Sequence, residues 1–552
     1  MRLSTLVLAS ASLLAAGAVE LDPSTHHRLL LSGRPQVGLW KALLKEAEQS
    51  AQLAEQSHVV EQAQLTFTAR PSKYKPYCFD QPLSHFDPAH NSTFCQRYWI
   101  DGSAYKPGGP IFLLDGGETS GANRIPFLET GILDILSNAT NGIGIVLEHR
   151  YYGHSVPVPN LSTDNLRFLN NEEALEDSAN FIRNFYPPAE VLKLDDPSSL
   201  HPKKTPWIYY GGSYAGARAA HMRVEYPDLV WGAIASSAVT HAQVNFPEYH
   251  DPIQQYGPED CISALQSAVK TIDTLLDLPH PVPSVLKGMF GLEHLKDDAD
   301  FAEVISSPLG YWQAQNWDPA VGSTGFQVFC DALTAGGAGS KVGLIRIPAE
   351  VVNYGKYIKG HVVSQCPESG KGPAEDIEDC FGSSDDEKFR DTDLSQTWRL
   401  WLFQVCTQWG YFMPAPLEGP SIVSSRLTLE HTAKICKQAF PAGKHFTVPP
   451  VPDVESVNAR GDYAIEADRL AFIDGDRDPW RVMTPQSDLA PKRTSSVNKP
   501  VHLIFNAIHH YDENGLKRHS DEPARIRDVH ELEKNFVQEW VAQFHEQKRS
   551  GQ

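Results

Sequence analysis

The sequence predicts an α/β protein in which helices wrap a mostly parallel sheet and a large, mainly helical insertion precedes the last strands. From about residue 98 to 239, short apolar runs alternate with helix-prone segments, the rhythm of strands joined by crossover helices. That rhythm stops over residues 240–460 and returns at Arg469. Residues 207–221 read as a strand, a Gly-Gly-Ser turn and a helix. This turn would lie at the sheet edge where ligands bind in such folds.

The N-terminus has the composition of a secretory signal peptide. Met1 and Arg2 precede an apolar run from Leu6 to Ala18 that ends in small residues, and cleavage is expected after Ala18. Residues 1–18 are therefore predicted to direct the chain to the outside of the cell or to an acidic, vacuole- or lysosome-like compartment. Residues 19–68 are polar with helical stretches and are expected to form an N-terminal arm or a propeptide.

Glycosylation sequons and cysteines agree with secretion. Asn91, Asn138 and Asn160 each begin an Asn-x-Ser/Thr sequon, the acceptor of N-linked glycans. The eight cysteines are an even number without a Cys-x-x-Cys spacing, which favours disulfides over a metal site. The shortest separations favour three pairs, Cys78–Cys95, Cys366–Cys380 and Cys406–Cys436. No motif predicts a metal or any other cofactor.

Composition limits the partners of this chain. It has 552 residues, too many for one simple core, and therefore predicts more than one structural unit. Its formal net charge of −20 argues against nucleic acid, whose phosphates it would repel. After the N-terminal segment no apolar run is long enough to cross a bilayer, so no membrane partner is expected. The sequence leaves a homodimer open.

The first half of the predicted sheet can be followed in order. Gln96–Ile100 is a candidate strand, and Pro110–Leu114 and Gly142–Leu147 are almost purely apolar runs. Such runs are expected for strands covered by helices on both faces. Glu172–Phe185 has helical spacing, and Leu229–Ala235 is a further β-prone run. These segments alternate as βαβ units require.

The second half predicts the insertion and the end of the sheet. Residues 240–460 hold six of the eight cysteines and many Trp and Pro, and are expected to form an inserted cap domain. Its better helices are Ile262–Leu278 and Asp393–Phe412. Two candidate strands, Arg469–Ile473 and Val501–Phe505, and a closing amphipathic helix, Pro523–Gln547, follow the cap.

Ser213 lies at a turn that resembles a nucleophile elbow. Gly211 and Gly212 precede it, and Ala215 and Gly216 follow it, which leaves room for strand and helix to cross at a strained serine. The start of the following helix would point N–H groups toward a developing oxyanion. A plain Gly/Ser turn between strand and helix is the alternative interpretation.

Three residue types of one catalytic chemistry follow predicted strands in chain order. They are Ser213, an Asp within 474–478, and His509 or His510. A serine hydroxyl needs a base to take its proton, and a carboxylate orients the imidazole that does so. The order Ser, Asp, His is that of α/β-hydrolases. Three unrelated surface loops would be the alternative.

The oxyanion donors are predicted next to this serine. The Tyr214 N–H is the first, and the loop after the early buried strand, with Gly116 and Gly117, would supply the second. Glu118 in the same loop could bind a substrate amine. A plain tight turn and a surface carboxylate are the alternatives for these positions.

Four motifs together resemble the lysosomal prolyl carboxypeptidase and dipeptidyl peptidase II family of serine peptidases, and in particular its secreted fungal prolyl peptidases. They are Gly-Gly-Ser-Tyr at 211–214, Glu-His-Arg-Tyr-Tyr-Gly at 148–153, Asp-Pro-Trp at 478–480 and the His pair at 509–510. The resemblance covers roughly residues 75–545. Ala215 and Ala217 stand where the family usually has Gly and often has Met, and Ile508 also departs from its pattern.

The resemblance implies an α/β-hydrolase domain, residues 69–239 and 461–552, around a cap over residues 240–460. It also implies cleavage after proline, often at acidic pH. Carried over by motif, Ser213 is the nucleophile, Asp478 the triad acid and His509 the base. Trp480 is predicted to line the proline pocket, since a flat aromatic wall recognises a rigid apolar ring without hydrogen bonds. Packing of Trp480 under the acid loop is the alternative interpretation.

Two competing functions remain on the same scaffold. A carboxylesterase or lipase would use the same fold and triad, because these do not fix the acyl group. A binding protein on an inactive hydrolase fold is the second rival, which the intact Ser, Asp and His disfavour. A peptidase would bind peptide substrates, and a cap over its site predicts exopeptidase behaviour.

Overall fold

A computed structural model describes residues 37, 39–41, 44–45, 73–368 and 370–551. The predicted signal peptide and most of residues 19–68 lie outside these residues. Of the arm, Val37, Leu39, Trp40 and Leu44 are buried against the main hydrophobic core. None of the helices in the described part is long and apolar enough to cross a membrane.

Eight strands form the central sheet, in the order β1-β2-β4-β3-β5-β6-β11-β12. The first two pair antiparallel and β2 lies antiparallel to β4, whereas all later neighbours are parallel. The strands of this sheet are β1 Tyr77–Pro82, β2 Thr93–Asp101, β3 Ile111–Asp115, β4 Ile143–Leu147, β5 Trp207–Gly212, β6 Gly232–Ser236, β11 Leu470–Gly475 and β12 Val501–Ile504.

Both faces of the sheet are covered, as the apolar runs predict. On β3, Phe112 and Leu114 belong to one core cluster, while Ile111 and Leu113 belong to the other. The first cluster continues into the inserted segment, where it includes Trp398 and Trp409. Sheet and insertion therefore share one core, which fixes the insertion against the sheet domain.

Sixteen α-helices are assigned within residues 73–368 and 370–551, and four of them lie where the sequence predicted a helix, at residues 172–185, after Ser213, at 262–278 and at 523–547. They are α1 Ile125–Glu129, α2 Ile132–Thr140, α3 Thr163–Leu166, α4 Asn171–Asn184, α5 Tyr214–Glu225, α6 Asp251–Tyr256, α7 Glu259–Leu276, α8 Val282–Met289, α9 Asp298–Ser306, α10 Gly325–Leu333, α11 Ala349–His361, α12 Pro373–Phe381, α13 Trp398–Gln404, α14 Leu429–Ala439, α15 Glu455–Asn458 and α16 Ala524–Ser550.

Between β6 and β11 the chain adds no strand to the central sheet within the described residues. This segment carries α6 to α15 and two small sheets. The small sheets are β7 Gln243–Asn245 with β10 Gly410–Phe412, and β8 Ser340–Val342 with β9 Ile345–Ile347. The mostly helical insertion expected from the sequence is the architecture observed.

The long helix predicted over Asp393–Phe412 is wrong at both ends. Helix α13 runs only from Trp398 to Gln404, a π-type turn follows, and the chain then pairs with β7. Gly410 ends the helical segment at φ 72°, where a Cβ would lie 2.4 Å from the Gln243 carbonyl oxygen. Tertiary pairing at this glycine overrides the helical pattern of the sequence.

All eight cysteines are paired. Three disulfides are those favoured by sequence separation, and the fourth joins Cys261 to Cys330 across the insertion. The other three are Cys78–Cys95, Cys366–Cys380 and Cys406–Cys436. The first ties β1 to β2, and the remaining three lie in the insertion. A segment with long loops is thereby constrained at three points.

Candidate active site

Ser213 lies between β5 and α5 with backbone angles φ 60° and ψ −122°, which a non-glycine residue rarely adopts. The turn is tight because a Cβ at Gly211 would lie 2.1 Å from the Ala215 carbonyl oxygen. The Ser213 N–H donates to the Ser236 carbonyl oxygen at 2.9 Å. The serine is half-buried. This is the strained strand–turn–helix geometry of a nucleophile elbow.

The structure joins the predicted acid to the predicted base. His509 Nδ1 and Asp478 Oδ2 are 2.7 Å apart, and both side chains are buried. The Trp480 N–H donates to the other oxygen, Asp478 Oδ1, at 2.9 Å. His509 Nε2 has no hydrogen-bond partner among the described residues. An imidazole held at Nδ1 with an open Nε2 is arranged to accept a proton.

The three candidate residues meet at one edge of the sheet. Ser213 follows β5, Asp478 follows β11 and His509 follows β12, and these parallel strands all end on the same side. Ser237, in the loop after β6, forms hydrogen bonds with the acid Asp478 and with the residue that follows the base. Its Oγ accepts the His510 N–H at 2.9 Å, and it also lowers the pKa of Asp478 by a hydrogen bond.

Charge partners set the titration of the acid and the base. Burial alone would raise the pKa of Asp478, but the neighbouring His509 holds it below its ordinary value. Burial is the main reason that the pKa of His509 is lowered, and His510 adds to the effect, although Asp478 opposes both. The base is therefore neutral at a lower pH than a free histidine, which favours proton abstraction in mildly acidic solution.

The second histidine of the pair faces a different carboxylate. His510 Nδ1 lies 2.9 Å from Glu513 Oε2, and the attraction raises the pKa of His510 although burial opposes it. Glu513 also lies against the elbow, since a Cβ at Gly212 would be 2.2 Å from its Oε1. Sequence analysis did not identify Glu513, which no local motif marks. The two histidines thus have separate carboxylate partners.

The proposed oxyanion loop differs in detail from the prediction. The Gly116 N–H donates to the Leu147 carbonyl oxygen at 2.8 Å, and the Gly117 N–H donates to Asp115 Oδ1 at 3.0 Å. Neither is free in this conformation to bind a substrate oxygen. Gly117 nevertheless approaches the elbow, because a Cβ added to it would lie 3.4 Å from Ala215 Cβ. The next N–H on this loop belongs to Glu118.

Trp480 lies in an aromatic cluster between the acid loop and the insertion. Its ring centroid is 5.5 Å from Phe246, 5.6 Å from Tyr249 and 5.0 Å from Tyr411. The His509 ring is 6.5 Å away. Only 8% of Trp480 is exposed. Trp480 is thus packed into an aromatic wall beside the base.

The Glu-His-Arg segment after β4 forms buried ion pairs and contacts the residue that follows the nucleophile. Arg150 Nε binds Asp177 at 2.6 Å, and His149 Nε2 lies 3.0 Å from the Tyr214 hydroxyl. Glu148 is paired with Arg97 Nε at 2.8 Å. Glu148 and Arg150 thus form two buried ion pairs with other segments of the chain. The contact with Tyr214 fixes the first helical residue after the nucleophile.

The predicted glycosylation sites differ in accessibility. Asn91 and Asn138 are exposed, whereas Asn160 is half-buried and its Oδ1 accepts hydrogen bonds from the Ser162 N–H and the Asn165 side chain. Asn138 lies within α2, where its side chain binds Asp134. Of the three sequon asparagines, Asn91 lies on an exposed loop.

Similar proteins come from fungi and animals. A probable extracellular serine carboxypeptidase of Arthroderma benhamiae is 39% identical over 497 residues, covering 83% of this chain and 67% of that protein. The serine protease vicPa of Bipolaris victoriae is 27% identical, with 85% and 89% coverage. The thymus-specific serine protease of Mus musculus is 28% identical, with 84% and 86% coverage.

The sheet order, the strained serine and the helical insertion are those of an α/β-hydrolase with a cap. The family model described as serine carboxypeptidase S28 matches residues 81–532, which include all three candidate residues. The resemblance read from the motifs is thereby confirmed, and the chain belongs to the S28 family of serine peptidases.

Proposed function

We propose that this protein is a secreted exopeptidase that hydrolyses peptide bonds on the carboxyl side of proline by a Ser-Asp-His mechanism at acidic pH. The observation that carries the proposal is the 2.7 Å contact between Asp478 and His509 at the sheet edge where Ser213 occupies its strained turn. The name of the Arthroderma relative, an extracellular enzyme, supports secretion. The half-exposed serine is accessible to a substrate.

Each residue has one role in the proposed reaction. Ser213 Oγ attacks the scissile carbonyl while His509 Nε2 takes its proton, and Asp478 stabilises the resulting imidazolium through Nδ1. The Tyr214 N–H at the start of α5 and the Glu118 N–H receive the oxyanion. His509 then protonates the departing amine, and water hydrolyses the acyl-enzyme by the same steps in reverse order.

Labelling by a fluorophosphonate probe tests this mechanism. The wild type is expected to become covalently labelled at Ser213, and Ser213→Ala is expected to fold normally without labelling, because only an activated serine reacts. Intact mass spectrometry with circular dichroism measures both. A correctly folded wild type that is never labelled would refute the enzyme assignment. Labelled protein that cleaves p-nitrophenyl esters but no proline peptide would favour the esterase.

Trp480 provides a test of proline specificity. Trp480→Ala is expected to lower kcat/KM for a substrate with Pro before the scissile bond, by an amount that corresponds to a loss of about 1–3 kcal/mol of transition-state stabilisation. The kcat/KM of the matched Ala substrate should fall much less. The reason is the loss of one apolar pocket wall next to His509. Trp480→Phe, which keeps an aromatic wall, is the control. Equal losses on both substrates would mean that Trp480 supports the site in general.

A further inference from the structure

Arg218 is a buried charged residue on the helix that begins directly after the nucleophile. It lies one turn after Tyr214 on α5, and only 2% of it is exposed. Its Nη2 lies 3.2 Å from Asp115 Oδ2, and the same nitrogen donates to the Ala174 carbonyl oxygen at 2.7 Å. Burial alone would lower the pKa of Arg218, but Asp115 holds it above its ordinary value. The guanidinium thus forms a buried ion pair between α5 and the end of β3.

The partner carboxylate reaches the loop that follows β3. Asp115 is the last residue of β3 and is buried. Its Oδ1 accepts the Gly117 N–H at 3.0 Å, and its Oδ2 accepts the Tyr209 hydroxyl at 2.8 Å. A Cβ added to Gly117 would lie 3.4 Å from the Cβ of Ala215, on the first turn of α5. One carboxylate therefore links this loop to the strand and the helix of the elbow.

The guanidinium is connected to both predicted oxyanion donors. Its Cζ lies 5.7 Å from the ring centroid of Tyr214, the residue whose N–H is the first donor. Through Asp115 it is joined to the Gly117 N–H, and the N–H of the next residue, Glu118, is the proposed second donor. Preorganised donors stabilise a transition state only when they are held close to the position of the developing charge. An ion pair with these contacts can fix one donor relative to the other.

Stability alone gives little reason for a charged pair at this position. A buried ion pair loses the hydration of both charges and is often no more stable than an apolar pair of similar volume. Arg218 Nε and Nη1 have no hydrogen-bond partner among the described residues, which adds to this cost. By contrast, Arg150 binds Asp177 through Nε and Nη2, and its Nη1 binds two backbone carbonyl oxygens. The position that the Arg218 pair imposes on the loop explains it better than stability does.

We propose that Asp115 and Arg218 form a positioning pair that holds the oxyanion loop, residues 116–118, against the nucleophile helix. The inference rests on the proposed function and adds the contacts that fix its second oxyanion donor. In this role neither side chain contacts the substrate, because Arg218 acts through Asp115 and Asp115 acts through the Gly117 N–H. Loss of the pair should leave substrate binding intact and slow acylation, since the loop then no longer holds its donor where the oxyanion develops.

The test compares kcat and KM of variants on one proline substrate, with active sites counted by fluorophosphonate labelling carried to completion. Arg218→Met keeps most of the side-chain length without the charge. It is expected to lower kcat by about 10- to 100-fold while KM changes by less than about threefold. Arg218→Lys should recover part of the loss. Asp298→Asn removes the partner of the buried Lys287 in the insertion. It controls for the loss of a buried ion pair and should keep the wild-type kcat.

Two further variants keep the test decisive if Arg218→Met does not fold. Tyr209→Phe removes only the hydroxyl that donates to Asp115 Oδ2, and it should lower kcat by about three- to tenfold with an unchanged KM. The double variant Asp115→Asn/Arg218→Met leaves no unpaired buried charge. It should lose no more kcat than Asp115→Asn alone, because both changes break the same link between the loop and α5.

Three results would overturn the proposal. The first is a wild-type kcat in folded Arg218→Met or in Tyr209→Phe, and the second is a rise in KM without a fall in kcat. The third is a loss of kcat in the double variant that adds to the loss in Asp115→Asn, which would show that the two residues act separately. A labelled wild type with unaffected variants refutes this inference alone, whereas a wild type that the fluorophosphonate never labels refutes the proposed function.

Discussion

His509→Ala is expected to lower kcat/KM by about three orders of magnitude or more, whereas His510→Gln should cost less than about tenfold at the optimal pH. The difference follows from their partners. His509 is bound to Asp478 at 2.7 Å and has an open Nε2, while His510 is paired with Glu513. Asp478→Asn should approach the loss of His509→Ala, because an amide cannot stabilise the imidazolium.

The pH profile separates the two histidines further. The charge of His510 lowers the pKa of His509, so its removal should raise that pKa and move the acid limb of kcat/KM to higher pH. In the wild type the midpoint of this acid limb lies below the ordinary histidine pKa of about 6.5, because His509 must be neutral to act as the base. Steady-state assays from pH 3 to 8 measure the limb. A nearly inactive His510→Gln with an active His509→Ala would reverse the assignment.

Local patterns predicted most of the sheet and the site. The runs at Pro110–Leu114 and Gly142–Leu147 became β3 and β4 because a strand covered on both faces must be apolar throughout. The elbow was readable because only small residues fit around Ser213, as the 2.1 Å approach at Gly211 shows. Chain order then selected Asp478 and His509, which the structure brings into contact.

Features that depend on distant contacts were not predictable in this way. The hydrogen bonds of Gly116 and Gly117 depend on Leu147 and Asp115, which a turn motif cannot show. Asp474, one of the candidate acids within residues 474–478, lies near the end of β11, and only 1% of it is exposed.

Asp474 belongs to a set of buried carboxyl groups beneath the catalytic edge, with Asp512 and Glu533. Burial raises the pKa of Asp474 to about 8 although Gln486 donates to its Oδ2. Glu533, on the closing helix, is fully buried with both oxygens unpartnered among the described residues. Burial raises the pKa of Glu533 well above its ordinary value, and that of Asp512 is raised too.

Each of these three raised pKa values contributes stability that is lost as the pH rises. A folded pKa above the unfolded value of about 4 means that the native state holds more protons than the unfolded state between the two values. The stabilisation is complete below about pH 4 and is lost progressively toward pH 8. For Asp474 alone the change is on the order of 5 kcal/mol. The contribution of these three groups to the free energy of unfolding is therefore larger at pH 5 than at pH 8, whereas buried histidines with a lowered pKa, among them His221 and His250, contribute in the opposite direction up to about pH 6.5.

Asp474→Asn tests the origin of this pH dependence, because asparagine keeps the shape of the protonated acid and never ionises. The variant should unfold at nearly the wild-type denaturant concentration at pH 5, and at a clearly higher one at pH 8. Glu533→Gln should act in the same direction. Glu129→Gln, at an exposed carboxylate of α1, controls for the net charge of −20, which also opposes folding at high pH.

Denaturant unfolding at pH 5 and 8 measures the effect, and an Asp474→Asn variant that is no more stable than the wild type at pH 8 would contradict it. A fall in the free energy of unfolding between pH 5 and 8 that persists in Asp474→Asn and in Glu533→Gln would place its origin in surface charge instead.

The buried carboxyl cluster is coupled to the site, because Asp512 accepts hydrogen bonds from Ser236 on β6 and from Tyr210 on β5. Tyr210 lies three residues before Ser213 on the strand that leads into the elbow. Ionisation of the buried carboxyl cluster beneath this strand should therefore disturb the position of Ser213 at a lower pH than it unfolds the sheet. The rate of fluorophosphonate labelling should then fall at a lower pH than the onset of global unfolding.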